Sequence, residues 1–216
     1  WLQKIGDIID WETFKKEFLE TMKHESVARP PIQYRGGKHM LEINIFDLHI
    51  GKWAWAAETG DNYNYKVARK RFFDAIDRLK SLGTMFDIEE IVFPFGNDFF
   101  NSDKDYPFPQ TTAGTPMEND LRWQKLFKTG REMIIEAVNE LSLIAPVKLI
   151  GIPGNHDVQK TFYLGDVLDV YYANNPNVTV DNNPKRRKYY LYGKNLLGFT
   201  HGRSSDIPEQ RLLLLM

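Results

Sequence analysis

Cysteine is missing from all 216 residues, which excludes a disulfide framework and a thiolate zinc site and fits a reducing interior. Long apolar runs are missing too. No stretch approaches the roughly 18 residues of a membrane span, and no charged start leading into an apolar segment reads as an export signal. Charge of one sign is equally scarce: Lys plus Arg total 28 against 29 for Asp plus Glu, a net charge of −1. That balance gives no global drive toward nucleic acid, so any such binding has to be local. Internal repeats and low-complexity segments are absent. Histidines number only five, at 24, 39, 49, 156 and 201. What remains is a chain with 42% hydrophobic residues, enough for one sizeable core and a single principal domain.

The polar chemistry is concentrated in four short motifs, each at the end of an apolar run: Asp47-Leu48-His49, Gly96-Asn97-Asp98, Gly154-Asn155-His156-Asp157 and His201-Gly202. Leu41 to Phe46 alternates apolar and polar residues. Read as a strand that continues into the motif, it places Asp47 and His49 on one side of an extended backbone. Ile88 to Phe95 and Val147 to Ile152 read as two further strands, and the glycines at their exits allow sharp turns and close approach to a ligand. In an open α/β sheet, ligands bind outside the carboxyl ends of the strands. Carboxylate, amide and imidazole groups would converge there. Such a donor set, without thiolate, suits Mn, Fe or Zn. One carboxylate can bridge two ions roughly 3.5 to 4 Å apart that clamp a phosphoryl group and acidify a bound water. Asp98 is the residue assigned to the bridge.

The order D-x-H, G-D-x-x-N, G-N-H-D and a strand-borne H-G resembles the calcineurin-like metallophosphoesterase superfamily, over about residues 41–205. The resemblance implies a layered α/β fold of mixed β-sheets sandwiched by helices. It implies a hydrolase with two divalent metal ions, manganese favoured and iron or zinc as alternatives. Asp47 and His49 would bind the first metal, Asp98 would bridge, and Asn155 and His201 would bind the second. His156 would contact the phosphate or protonate the leaving oxygen, with Asn101 beside it in the position that orients the catalytic imidazole. The implied reaction is attack on a phosphodiester by a metal-bridging hydroxide. The motifs are closer to the phosphodiesterase and DNA exonuclease branch than to the protein phosphatases, and the sequence is similar to phosphoesterases of bacteriophages and prophages. The expected substrate is a phosphate ester, DNA or a nucleotide, in the cytoplasm of a bacterium or phage-infected cell, with no membrane partner.

Three departures from that pattern stand out. Asn97 is inserted between the glycine and the acid of the second motif. Asn101 stands where the family often has Asp, and an amide supplies no negative charge to raise the pKa of an imidazole. The closing G-H-x-H is absent, from which we expect that the chain is a fragment whose remaining ligands lie downstream. Two alternatives arise: a binding or scaffold protein that keeps the fold with weak or no catalysis, and a phosphodiesterase for small cyclic nucleotides.

Elsewhere, Asp10 to Lys23 reads as an amphipathic helix in an N-terminal segment, residues 1–40, ahead of a main domain at 41–216. Lys66 to Leu82 and Asp120 to Leu143 read as two long helices, and Lys188 to Tyr192 with Leu196 to Thr200 as a hairpin that delivers His201. Trp53, Trp55, Tyr63 and Tyr65 come directly after the first motif and either stack on bases or close their loop on the core. The segment Asn101 to Asn119 has little regular pattern and its length suggests a lid. Lys185-Arg186-Arg187-Lys188 reads either as a phosphate grip or as solvated surface.

Overall fold

The structure is a computed structural model that describes residues 37–83 and 85–202. The expected helix at Asp10 to Lys23 lies outside the described residues. Four strands, β1 (His39–Glu42), β2 (Ile88–Gly96), β3 (Val147–Ile152) and β4 (Val178–Asp181), pair in the order β1-β2-β3-β4, all parallel. A separate antiparallel hairpin, β5 (Lys188–Tyr192) with β6 (Asn195–Phe199), turns through Gly193 and Lys194. Parallel and antiparallel pairing therefore occur in different sheets of an α/β fold.

The helices are α1 (Ala56–Thr59), α2 (Tyr65–Gly83), α3 (Trp123–Leu141) and α4 (Val158–Tyr172). Helices α2, α3 and α4 each bridge consecutive, adjacent parallel strands. Crossovers of one hand along a sheet that grows in one direction must put those helices on one face. Burial confirms the geometry. Ile91, Phe93 and Phe95 of β2 and Val147 and Leu149 of β3 share a core with Phe72 and Ile76 of α2, Met133, Ile134 and Val138 of α3, and Leu164 and Leu168 of α4. The alternate residues Val92, Ile150 and Ile152 face the other way and pack with Phe199, Tyr190 and Leu197 of the hairpin. The period-two alternation of strand side chains thus sorts each residue to the helical layer or the hairpin layer.

Two elements carry little local signal in the sequence. Helix α4 has apolar residues around much of its circumference, including exposed Phe162, Tyr163 and Val170 beside buried Leu164 and Leu168, so no single stripe marks it. Strand β4 is only four residues long. One strand is shorter than expected: β1 ends at Glu42, well before Asp47.

The hairpin is tied to the main sheet by two tyrosines. The Tyr190 hydroxyl donates to Glu90 Oε2, and the Tyr192 hydroxyl donates to Glu89 Oε2 at 2.6 Å. Both phenols are held above their usual pKa, Tyr190 by burial and by the Glu90 carboxylate, Tyr192 chiefly by its bond to Glu89. Since the hairpin leads directly into His201, we expect Tyr190→Phe to cost about 1 kcal/mol and to raise hydrogen exchange in residues 188–199, with the rest of the sheet unchanged. Unaltered exchange there would mean that the Tyr190–Glu90 hydrogen bond does not hold the hairpin, leaving that to apolar packing and to Tyr192.

Candidate metal centre

The loops that leave β1 and β2 run side by side. Asp47 N–H donates to the Asn97 carbonyl at 3.1 Å, His49 N–H to the Asp98 carbonyl at 2.9 Å and Ile50 N–H to the Phe99 carbonyl at 2.8 Å. This ladder holds the backbone in an unusual state. Asp47, His49, Asn97 and Asp98 have φ of 54°, 47°, 55° and 64°, and they are the non-glycine residues with positive φ among the described residues. Each such conformation costs about 1–2 kcal/mol for an L-residue, although Asp, Asn and His tolerate it better than most. Strain of this kind collects where the fold over-determines a functional geometry. The expectation that Asp47 and His49 share a face of an extended strand is accordingly corrected: left-handed turns, not strand alternation, bring the Asp47 Oδ1 within 3.8 Å of His49 Nε2.

Two glycines make the close approach possible. Gly96 has φ of 88°, and a Cβ there would lie 2.4 Å from the Ile152 carbonyl oxygen. A Cβ on Gly154 would lie 2.0 Å from Asp98 Oδ1 and 2.3 Å from the Asp98 nitrogen, so the G-N-H-D loop can rest on Asp98 only without a side chain at that position.

Asp98 lies at the centre of the cluster. Its carboxylate is buried; Oδ1 accepts the His156 N–H at 2.7 Å, and Oδ2 is 3.4 Å from His201 Nε2. On one side, ligand atoms of His49, Asp98 and His156 all lie within 4.8 Å of one another, a group that could hold a metal ion. The two imidazoles meet edge to face with centroids 4.6 Å apart. On the other side, His201 Nε2 lies 2.6 Å from Asn155 Oδ1, and His201 Nδ1 contacts Asn97 Oδ1. A ring that donates from Nδ1 to Asn97 turns the Nε2 lone pair toward the oxygens of Asn155 and Asp98, three acceptors converging on one point. Asn97, which read as an insertion, is thereby the group that orients His201.

The donor set fits a divalent cation on two further observations. His49 Nδ1 is buried without a hydrogen-bond partner. Burial, then the neighbouring His156, push the His49 pKa below its ordinary value against the pull of Asp98 and Asp47, which favours the neutral imidazole that metals require. Asp47, expected as a ligand of the same ion, lies at the edge of this group, with its side chain 66% exposed.

Two expected roles change. Asn101 does not orient His156 through its amide: that Nδ2 donates to the Glu118 carbonyl and to Asn119 Oδ1, while the Asn101 main-chain oxygen lies 2.9 Å from His156 Nδ1. The orienting group is a carbonyl, which can only accept, so Nδ1 donates to it and Nε2 is turned away from it. Residues 101–119 are not a loose lid. Asp103 Oδ1 accepts the N–H groups of Gln159 and Lys160 at the start of α4, and Lys160 Nζ reaches Asp105 Oδ2 at 2.6 Å and the Ser102 carbonyl at 2.7 Å.

Asp157 received no role from its motif alone, yet it builds the site. It is fully buried; Oδ1 accepts the N–H of Asp98 at 3.2 Å and of Gly154 at 3.1 Å, and Oδ2 that of Phe100 at 3.1 Å. Burial pushes its carboxyl up to about 7, against the pull of those three donors. The signal available in the sequence was an acid directly ahead of a helix that it does not cap.

The aromatic loop divides. Tyr63 and Tyr65 pack on the core, and the Tyr63 hydroxyl donates to the Leu48 carbonyl. Trp53 and Trp55 stay more than half exposed, at 59% and 57%. Within the basic run, Lys188 is buried and paired with Asp181 Oδ1 at 2.8 Å, so it is not part of a phosphate grip.

In comparisons with family models, curated proteins and solved structures, the chain matches none. Among the described residues, no helix is long and apolar enough to cross a membrane.

Proposed function

We propose that this protein is a two-metal phosphoesterase acting on phosphodiesters of DNA or nucleotides, like the phosphodiesterase and DNA exonuclease branch of the calcineurin-like superfamily. The observation that carries the reading is the position of Asp98, a buried carboxylate with His49 and His156 on one side and His201 and Asn155 on the other. His49 with Asp98 would hold one cation, aided by Asp47, and Asp98 with Asn155 and His201 the other. Two such cations supply Lewis acidity and lower the pKa of a bound water. The protein's own part is positional. The Asn101 carbonyl fixes the His156 ring so that Nε2 faces the substrate phosphate, where it can hold a proton shared with the leaving oxygen. Asp157, by gripping the N–H groups of Asp98, Phe100 and Gly154, keeps the second and third motifs in register.

The test is metal content and hydrolysis of bis(p-nitrophenyl) phosphate by the full-length protein with added Mn(II). We expect about two metals per chain, as two-metal chemistry demands, turnover that EDTA abolishes and Mn(II) restores, and a preference for the diester over a monoester. Metal binding without hydrolysis of any ester would make the fold a binding platform instead.

Trp53 and Trp55 bear on substrate class. Exposed aromatics that follow His49 within six residues of the chain are suited to stacking on bases, at about 1–3 kcal/mol per base. Trp55→Ala should therefore raise KM for a single-stranded oligonucleotide about tenfold while leaving the p-nitrophenyl diester within twofold. An equal effect on both substrates would point to a folding role for the loop.

A further inference from the structure

A lysine in the first turn of α4 is buried. Lys160 is 6% exposed, and its ammonium directs its donors into the protein: to Asp105 Oδ2 at 2.6 Å, to the Ser102 carbonyl at 2.7 Å and to Ser102 Oγ at 3.3 Å. Taking an ammonium out of water is costly, and replacing a buried ion pair by apolar residues of similar volume often loses no stability. The charge therefore needs a reason other than stability. What it supplies and an apolar side chain does not is direction, because N–H bonds fix where the Ser102 carbonyl points.

The carbonyl next to it in the chain is the one that orients His156. Asn101 O lies 2.9 Å from His156 Nδ1, so two consecutive carbonyls of the loop after β2 are bound by two side chains four residues apart, His156 and Lys160. The Asn101–Ser102 peptide has an anchor on either side. Ahead of it, Asn101 N–H donates to the Ile50 carbonyl at 3.1 Å, and Asn101 Nδ2 to the Glu118 carbonyl at 3.0 Å and Asn119 Oδ1 at 2.8 Å. Behind it stands Ser102, held by Lys160 and by Asn119 Nδ2, which donates to Ser102 Oγ at 2.8 Å. Asp103 also joins this loop to the start of α4, but through its side chain, whereas Lys160 grips the main chain one peptide away from the Asn101 carbonyl. We propose that Lys160 is a positioning residue for His156: by fixing Ser102 it holds the Asn101 carbonyl against Nδ1 and so sets the direction in which Nε2 points. The consequence for turnover rests on the reading of His156 as the group that shares a proton with the leaving oxygen, while the hydrogen bonds themselves need no metal.

Lys160→Met alone would strand the Asp105 carboxylate, whose side chain is 14% exposed, so the test pairs it with Asp105→Leu and removes the ion pair whole. The first readout is long-range 1H–15N NMR of the full-length protein in EDTA, at a pH above the imidazole range. We expect wild-type His156 as a single tautomer protonated at Nδ1, and in the double variant a mixture of tautomers whose Nδ1 proton exchanges about tenfold faster. His201, whose Nδ1 contacts Asn97 Oδ1, should be the same in both and report that the fold is intact. The second readout uses the Mn(II)-loaded proteins and the p-nitrophenyl and phenyl esters of thymidine 5′-phosphate, which differ only in the leaving group. The double variant should lose about tenfold more kcat on the phenyl ester than on the p-nitrophenyl ester, since the poorer leaving group depends more on a proton. Adding the pair of substitutions to His156→Gln should cost little beyond His156→Gln itself, because both act through one ring. An unchanged His156 tautomer and exchange rate overturns the proposal, as does faster exchange at His156 and His201 alike or an equal loss on both esters. Should the wild type hydrolyse neither ester, the phosphoesterase reading fails, and the NMR result decides by itself whether Lys160 positions His156.

Discussion

Asp98→Ala should lose both bound metals and cut kcat/KM on the p-nitrophenyl diester by about three orders of magnitude, the roughly 4 kcal/mol that a preorganised charge contributes to a transition state. The size of the effect stems from the two faces of one carboxylate. Oδ2 looks toward His201 and Asn155, while Oδ1 holds the His156 backbone N–H at 2.7 Å. Removing it dismantles both halves at once, because His49 and His156 on one side and His201 on the other then have no shared anion. Asp98→Asn separates the roles. An amide oxygen still accepts from His156 N–H and keeps the loop in place, but it lacks the charge needed by two cations, so this variant should fold like wild type and remain within tenfold of Asp98→Ala in activity. Calorimetry with Mn(II) and steady-state kinetics check both. An Asp98→Ala protein that retains two metals and more than a tenth of its activity would show that Asp98 is not the bridge.

The second large effect is on stability. Asp157→Ala should lower unfolding free energy by about 3 kcal/mol or more, since each buried N–H left without a partner costs on the order of 1–3 kcal/mol and three are released together. The donors lie in two loops, those of Asp98 and Phe100 in the one after β2 and that of Gly154 in the one after β3, so the loss is also a loss of alignment. Gly154 already rests so close to Asp98 that a Cβ would collide with it. The midpoint of urea unfolding measures the cost, and Mn(II) affinity should weaken about 10- to 100-fold, as expected for a group that supports ligands. A stability loss with unchanged metal affinity would confine Asp157 to a folding role.

Much of the scaffold is legible in the chain itself. Strands β2 and β3 are runs rich in Ile, Val, Leu and Phe, as strands buried on both faces should be, and α2 and α3 carry helical apolar spacing. The polar motifs at the strand ends mark where chemistry gathers, because side-chain type and short-range periodicity are local properties. The failures are local signals overruled by distant ones. Alternation from Leu41 to His49 suggests one long strand, yet hydrogen bonds to residues 97–99 force Asp47 and His49 into left-handed turns. Lys188 reads as solvated or phosphate-binding, and Asp181, on β4, claims it.

By itself the sequence determined the inventory: no thiolate, five imidazoles, and an ordered set of carboxylate, amide and imidazole groups at strand ends. Only the tertiary structure decided how those groups meet. It gave Asn97 the task of orienting His201, passed the orientation of His156 from the Asn101 side chain to its carbonyl, and seated Asp157 under three N–H groups. Each of these contacts joins residues more than 50 positions apart, apart from the one between Gly154 and Asp157. Hydrogen bonds of that reach depend on which loops the sheet brings together, and nothing in the local chain specifies them.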